Sequence, residues 1–369
     1  MIDRRIFFHI NWSLLLFTLI LAGIGIINLY SASALRLEDG VSLTPYYARQ
    51  SVWTGMGLIG ILLCTAFDYH RLASWAWPLF IFSLLLLLSV PFIGKSIYGS
   101  RRWIDLYFFH IQPSEPIKIA VMILGAKLIS EVQEPLDWKV FLRILPIALI
   151  PAVIVIKQPD LGSGLTILFI FGGVVLYHGL EKKLFKILLI VIPSLLPLAW
   201  SFLHDYQKKR ILTFLDPGQD PLGDGYHILQ SQIAIGSGQI WGQGFLGGSQ
   251  SHLRFLPEKH TDFAFAVFSE EWGFLGAIIL LLLFCGFLYQ LAQTARESRD
   301  SFGILLGCGI FFYFFWQILI NLSMVLGLMP VVGIPLPFIS YGGSSTLVNF
   351  CLIGLSLNIC MRRFLFKKN

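Results

Sequence analysis

The chain has 369 residues, of which 56% are hydrophobic and only 13% charged, with a net charge of +6. Soluble domains carry about a quarter charged residues, so this composition excludes a water-soluble globular protein and points to an integral membrane protein. The basic balance comes with no nucleic-acid-binding module, so nucleic acid is not an expected partner; membrane lipids are.

Ten apolar stretches follow in chain order: 12–32, 46–66, 72–92, 114–131, 140–156, 161–179, 184–203, 263–292, 303–328 and 342–361. A helix needs about 20 such residues to cross the hydrocarbon. The runs are continuous rather than alternating, which predicts helices and not barrel strands. The first is preceded by Arg4 and Arg5 and ends in "SASA" (Ser31 to Ala34), as a secretory signal peptide does. Its apolar part, residues 14–29, exceeds the usual signal core of about 7–15 residues, and it is read as the first span. The expectation is an all-α polytopic membrane protein, a single domain over residues 1–369 with about ten transmembrane helices. Cys64, Cys285, Cys308, Cys351 and Cys360 all fall inside apolar runs, without metal-ligand or disulfide spacing.

An even number of spans puts both termini on one side. With that side cytoplasmic, it takes about half of the 27 basic residues, including Lys182, Lys183, Arg362 and Arg363, as the positive-inside rule expects. The opposite side also carries cations, among them Arg49, Lys95, Arg101, Arg102, Lys157, Arg210, Arg254 and Lys259. They serve either lipid headgroups or an anion site on that outer face. A diphosphate suits the second use, because guanidinium binds phosphate oxygens in bidentate fashion.

Residues 204–262 form one large loop between spans seven and eight, on the outer, periplasmic side. Loops of such length are usually functional or disordered. Trp241, Phe245, Leu246, Phe255 and Leu256 predict that it folds back on the membrane. Residues 226–238 suit a short interfacial helix with Ile228, Leu229, Ile233 and Ile235 towards lipid. "GSGQIWGQGFLGG" (Gly236 to Gly248) lacks the ending of a phosphate-binding P-loop and reads as a tight turning segment. In "MPVVGIPLPFISYGGSS" (Met329 to Ser345) three prolines prevent a continuous helix. Broken backbone at membrane depth lines a cavity or is buried in protein, so this stretch is expected to dip into the outer leaflet and wall a cavity.

Glu115 and Lys118, three apart near the start of span four, share a helix face; they are either a structural ion pair or a cavity wall that touches a polar ligand. Asp160 opens span six, where it suits a helix cap, a ligand contact, or both. Glu270 and Glu271 lie within span eight. If that helix begins by Asp262, Asp262 and Glu270 stand about 80° apart on it and could face one cavity, while Glu271 points to a neighbouring helix; for both glutamates a buried structural hydrogen bond is the expectation. Just before this span, "RFLPEKHTDFAFAV" (Arg254 to Val267) groups Glu258, Lys259, His260 and Asp262. Thr261 or Asp262 suits a cap, but the cluster exceeds what capping requires. A carboxylate beside cations is what glycosyl transfer to a sugar hydroxyl needs: the carboxylate takes the proton and the cations hold the departing diphosphate.

"FLPEKHTDFAFAVFSEEWG", "GSRRWI", "QPSEPIK", "QPDLGS" and "GIPLPFISYGGSS" together resemble the SEDS family (shape, elongation, division, sporulation) of bacterial cell-wall proteins, over essentially the whole chain. "EEWG" and the short tails look like the rod-shape branch, with the cell-division branch as the alternative. The resemblance implies a peptidoglycan glycosyltransferase of the inner membrane, with cytoplasmic termini and a periplasmic active face, that polymerises lipid II with release of undecaprenyl diphosphate. It matches the family's required aspartate to Asp262. Arg49, Arg101, Arg102, Lys118, Lys157 and Arg210 are then candidates for the diphosphate, and Glu115, Asp160, Glu258, Lys259 and His260 for other substrate contacts. The implied partners are a class B penicillin-binding protein, a transpeptidase, and the rod-complex proteins MreC and MreD. The sequence has no DxD-like acidic pair, which leaves a divalent cation (Mg or Mn) neither required nor excluded. A lipid II flippase and a scaffold without chemistry are the rival readings; only the enzyme depends on Asp262.

Overall fold

Each of the ten apolar stretches is helical. In the computed structural model of the chain, residues 10–33, 45–97, 100–105, 110–216, 218, 223–248 and 259–363 are described. The predicted spans become α1 (Trp12–Ser33), α2 (Tyr46–Ala66), α3 (His70–Ile93), α4 (Ser114–Ser130), α5 (Trp138–Lys157), α6 (Leu161–His178), α7 (Lys182–Phe202), α10 (Ala264–Glu297), α11 (Ser301–Val325) and α12 (Gly343–Arg362). Two further helices, α8 (Asp205–Leu215) and α9 (Asp224–Ser237), lie in the large loop. Among the described residues seven helices are long and apolar enough to cross a membrane: α1, α3, α5, α6, α10, α11 and α12. Of the remaining three, α4 has only 17 residues and buries Glu115 and Lys118.

The core lies where α4, α6, α11 and α12 meet, and most of α11 and α12 is buried. In contrast, Leu184 is the only described side chain of α7 that is buried, so this helix stands at the lipid-facing edge. Between α3 and α4 the chain makes a small antiparallel sheet of β1 (Lys95–Ile97), β2 (Ser100–Asp105) and β3 (His110–Ile111), in that order. Nothing in the apolar pattern predicts these strands.

The stretch after α11 is non-helical as far as Gly342. Phe338 inserts into the bundle, 3% exposed. Its ring stacks on Phe314 at 5.7 Å and meets Phe287 and Phe350 edge-on at 5.5 and 5.6 Å. Its main-chain carbonyl fills the notch at Gly25 of α1, where a Cβ would collide with it. Irregular backbone is tolerated at membrane depth when protein buries it in this way.

The large loop folds back against the helix bundle through α9, and the orientation of α9 differs from the expected one. Leu229 and Ile233 of α9 are exposed, but Ile228 is 3% exposed and lies against the turn at Gly327 that follows α11. The helix therefore turns a face inward and packs on α10. Phe255 and Leu256 lie outside the described residues. The glycine-rich segment after α9 is a tight turn, and it repairs a break in α10. Gly273 has φ 64° and ψ −164°, a region open to glycine alone among ordinary residues. Around that break Gln243 N–H donates to Glu270 C=O and Gly244 N–H to Glu271 C=O, both at 3.0 Å; in return Phe274 N–H donates to Gln239 C=O (2.8 Å) and Leu275 N–H to Ile240 C=O (3.2 Å). The backbone groups released by the break thus find partners.

At the other end of the bundle, two connections are tied to each other and to the end of α12. Asp300 caps α11 through Gly303 N–H (2.8 Å) and accepts a hydrogen bond from Tyr69. His70 Nδ1 lies 2.8 Å from Asp68, and Arg362 of α12 lies 3.5 Å from the same carboxylate.

Candidate active site

Helix N-termini and broken backbone converge at one end of the bundle around a cavity of about 760 Å³. Its walls come from the first two turns of α2 (Arg49, Trp53), β2 (Arg102, Trp103), the entry to α4 (Gln112, Glu115, Lys118), the entry to α6 (Asp160, Ser163), the lead-in to α10 (Thr261, Asp262), and the stretch from Gly333 to Ser345. The proline-broken segment walls the cavity as its composition predicts.

Asp262 does not cap α10. The N-cap is Phe263, with no side-chain cap hydrogen bond, and Asp262, one residue before it, lines the cavity. Its main chain is anchored. Asn321, fully buried on α11, donates through Nδ2 to Asp262 C=O at 2.9 Å and to Ile334 C=O at 2.8 Å. A second anchor lies two residues on, where Asn28 of α1 donates to Ala264 C=O at 2.9 Å. Because Asp262 precedes the helix, the helical angle between it and Glu270 does not apply. Glu270 is fully buried and away from the cavity, and Glu271 accepts a hydrogen bond from Ser31 of α1, as expected for an acid that points to a neighbouring helix.

Glu115 and Lys118 combine the ion pair with a place in the cavity wall. They form an ion pair at 2.7 Å with both side chains buried, and both line the cavity. Tyr313 Oη lies 3.3 Å from Glu115 Oε2 and 3.0 Å from Asn349 Oδ1; one phenolic proton serves two acceptors. The Lys118 ammonium also stands 5.3 Å from the centre of the Tyr313 ring, within cation–π range. Asp160 likewise has two roles: it caps α6 through Ser163 N–H (3.1 Å) and accepts from Gln112 Nε2 (3.1 Å) at the cavity wall.

The two arginines of "GSRRWI" separate because successive strand residues face opposite ways. Arg102 faces the cavity and is fixed by donating to the carbonyls of Gln158 and Pro159. Arg101 is exposed and donates to Pro91 C=O at 3.1 Å, off the cavity. Lys157 is exposed on the last turn of α5 and does not line the cavity either. Arg210, on α8, donates to Val331 C=O at 3.1 Å and braces the broken segment from outside. Lys259 is half-buried beside the cavity rather than in its wall. His260 stacks on Tyr46 at 4.1 Å, and its carbonyl accepts from Tyr341 N–H at 2.8 Å; it joins two walls without lining either. Glu258 lies outside the described residues. Among the described residues no group of three or more His, Cys, Asp and Glu side chains is placed to hold a metal ion.

Trp53, Gln112, Gln317 and Tyr341 were not foreseen as lining residues. Gln112 and Tyr341 stand inside "QPSEPIK" and "GIPLPFISYGGSS", so the signal was present; Trp53 and Gln317 sit in apolar runs with no local mark.

The family model described as "Cell cycle protein", for FtsW, RodA and SpoVE, matches residues 12–364. The chain belongs to this family. It is 38% identical over 315 residues to the peptidoglycan glycosyltransferase MrdB of Escherichia coli K12, which covers 85% of each chain. In structure it is similar to a chain of a peptidoglycan synthase complex described for its coordination of polymerization and crosslinking (TM-score 0.81, 33% identity, 96% of this chain and 98% of that one). It is also similar to the rod shape determining protein RodA of Thermus thermophilus (TM-score 0.71, 29% identity, 96% and 98%). The family expected from the motifs is the family found, and the helical membrane fold agrees with it.

Proposed function

We propose that this chain is a peptidoglycan glycosyltransferase of the rod-shape branch, which polymerises lipid II into glycan strands with Asp262 as general base. The observation that carries the reading is one cavity whose wall holds the Asp262 carboxylate together with Arg49, Arg102 and Lys118. Similarity to MrdB and RodA supports the same reaction.

In this reading the Asp262 carboxylate accepts the proton of the acceptor GlcNAc 4-hydroxyl. The oxygen attacks the anomeric carbon of the donor MurNAc, and the bond to undecaprenyl diphosphate breaks with its electron pair on the leaving group. The α-linkage inverts to β. Arg49 and Arg102 face the developing diphosphate charge, where preorganised cations act most strongly. Lys118 stands behind them, because Glu115 already neutralises much of its field. A magnesium or manganese ion at the diphosphate would draw most of its ligands from substrate oxygens and water; Asp160 and Asp262 are the cavity carboxylates nearest in chemistry to such a role, and no step above depends on it.

The cavity end of the bundle is the periplasmic face of the bacterial inner membrane, and both termini are cytoplasmic. The likeness to a chain of a peptidoglycan synthase complex supports a class B penicillin-binding protein as partner, with MreC and MreD as further members of the assembly. The test is polymerisation of purified lipid II by the chain and that partner, with the partner's transpeptidase site blocked. Wild type should form polymer and Asp262→Ala should not. Polymer formed by Asp262→Ala at the wild-type rate would end the assignment.

A further inference from the structure

A second concavity, of about 520 Å³, lies at the end of the bundle opposite the catalytic cavity. It runs between α3, the end of α4 and α5, and its size falls within the roughly 300–1,000 Å³ of ordinary ligand sites. Phe80, Ile147 and Ile150 make its apolar body. Glu131, at the C-cap of α4, and Arg143, about a turn and a half into α5, are the charged residues in its wall. Both are exposed. Among the described residues neither side chain has a hydrogen-bonding or ionic partner.

Two features place the mouth of this groove at the headgroup level. Trp77 on its wall is 46% exposed, and Trp75 and Trp138 beside it are 60% and 44% exposed; exposed tryptophans gather where lipid meets water. An exposed arginine on a spanning helix likewise extends to that level. From Arg143 to Ile150 the groove then follows α5 for about 10 Å towards the bilayer centre, at 1.5 Å per residue. The local charges are paired in sign with the helix ends. Glu131 adds to the negative C-terminal end of α4, and Arg143 to the positive N-terminal end of α5. A ligand that matches all of this has an acyl chain, a phosphate for the guanidinium and a cation for the carboxylate.

We propose that this groove binds an aminophospholipid, with one acyl chain along Phe80, Ile147 and Ile150, the phosphate on Arg143 and the primary ammonium on Glu131. Phosphatidylglycerol lacks the cation, and a choline headgroup lacks the N–H donors whose hydrogen bonds a carboxylate accepts. The site is separate from the glycosyl-transfer cavity and does not rest on the function proposed for it.

Native mass spectrometry of the full chain in detergent, presented with equimolar phosphatidylethanolamine, phosphatidylglycerol and phosphatidylcholine, tests the proposal. Wild type should retain phosphatidylethanolamine about tenfold over the other two, the effect of one charge-assisted hydrogen bond. Glu131→Gln should remove that preference. Arg143→Ala should lower retention of all three, and Arg143→Lys should restore part of it. Ile150→Trp, which fills an exposed part of the groove, should lower retention whatever the headgroup. Thermal unfolding close to wild type in each variant shows that the fold is kept. Equal retention of the three lipids by wild type, or a preference unchanged in both Glu131→Gln and Arg143→Ala, would overturn the proposal.

Discussion

Asn321 holds the carbonyls of Asp262 and Ile334 with a single carboxamide, at 2.9 and 2.8 Å. The candidate base and the facing wall of the cavity therefore share one fixed point on α11. Neither carbonyl belongs to a regular helix, so neither has an intrahelical partner to fall back on.

Replacing Asn321 by Ala removes this donor from one buried and one part-buried carbonyl, and a buried acceptor left unpaired costs about 1–3 kcal/mol. The thermal unfolding midpoint in detergent should fall. Polymerisation should fall further, by up to about a hundredfold, because displacement of a reacting group by about 1 Å has that effect. The loss should appear in kcat more than in KM, since no substrate contact is removed. Asn321→Ala with wild-type turnover would show that the carbonyls hold their places unaided.

Glu115 and Lys118 give a test that separates fold from chemistry. Removal of one partner from a buried ion pair costs about 3–5 kcal/mol, whereas replacement of both by neutral groups of similar size is often close to neutral. Lys118→Met alone should therefore lower the unfolding midpoint strongly, and Glu115→Gln with Lys118→Met should recover most of it. The double variant should still polymerise lipid II less well than wild type, because the cavity has lost one of its three Lys and Arg side chains. Recovery of both stability and activity would reduce the pair to a structural role.

A pH dependence should arise at the far end of the bundle, from Asp68. Burial raises its pKa, but the hydrogen bonds from His70 and the charge of Arg362 outweigh that and hold the carboxyl below its ordinary value of 3.8. A carboxylate depressed on folding stabilises the fold above its ordinary value, and that contribution is lost as pH falls through the folded value. Wild type should thus unfold at a higher temperature than Asp68→Asn near neutral pH, and the two curves should converge in acid below about pH 3.8. Parallel curves from pH 7 downward would count against the linkage.

The helices were legible because hydrocarbon demands long continuous apolar runs, and every stretch chosen on that ground is a helix. The wall from Gly333 to Ser345 was legible because Pro330, Pro335 and Pro337 forbid a straight span. What escaped was register over short distances. "GSRRWI" does not say that it is a strand, so Arg101 and Arg102 looked equivalent until β2 turned them apart. The apolar run at 263–292 left the exact start of α10 open; with the helix beginning at Ala264, Asp262 lies outside it and the conditional angle to Glu270 falls away. Trp53 and Gln317 reach the cavity only because α2 and α11 pack with those faces inward, which is tertiary information. His260 and Arg210 were chosen for their residue type as ligand groups; the structure shows each in contact with neighbouring protein, a use that residue type alone does not separate from binding.

The notch at Gly25 has a consequence for biogenesis. A missing methyl group on the first helix receives the carbonyl of Phe338, which arrives more than three hundred residues later. Gln50 likewise waits for Thr346, to which it donates at 2.8 Å. Early and late parts of the chain thus complete one another's seats, and the wall from Gly333 to Ser345 reaches its place only when α1 and α2 already stand to receive it.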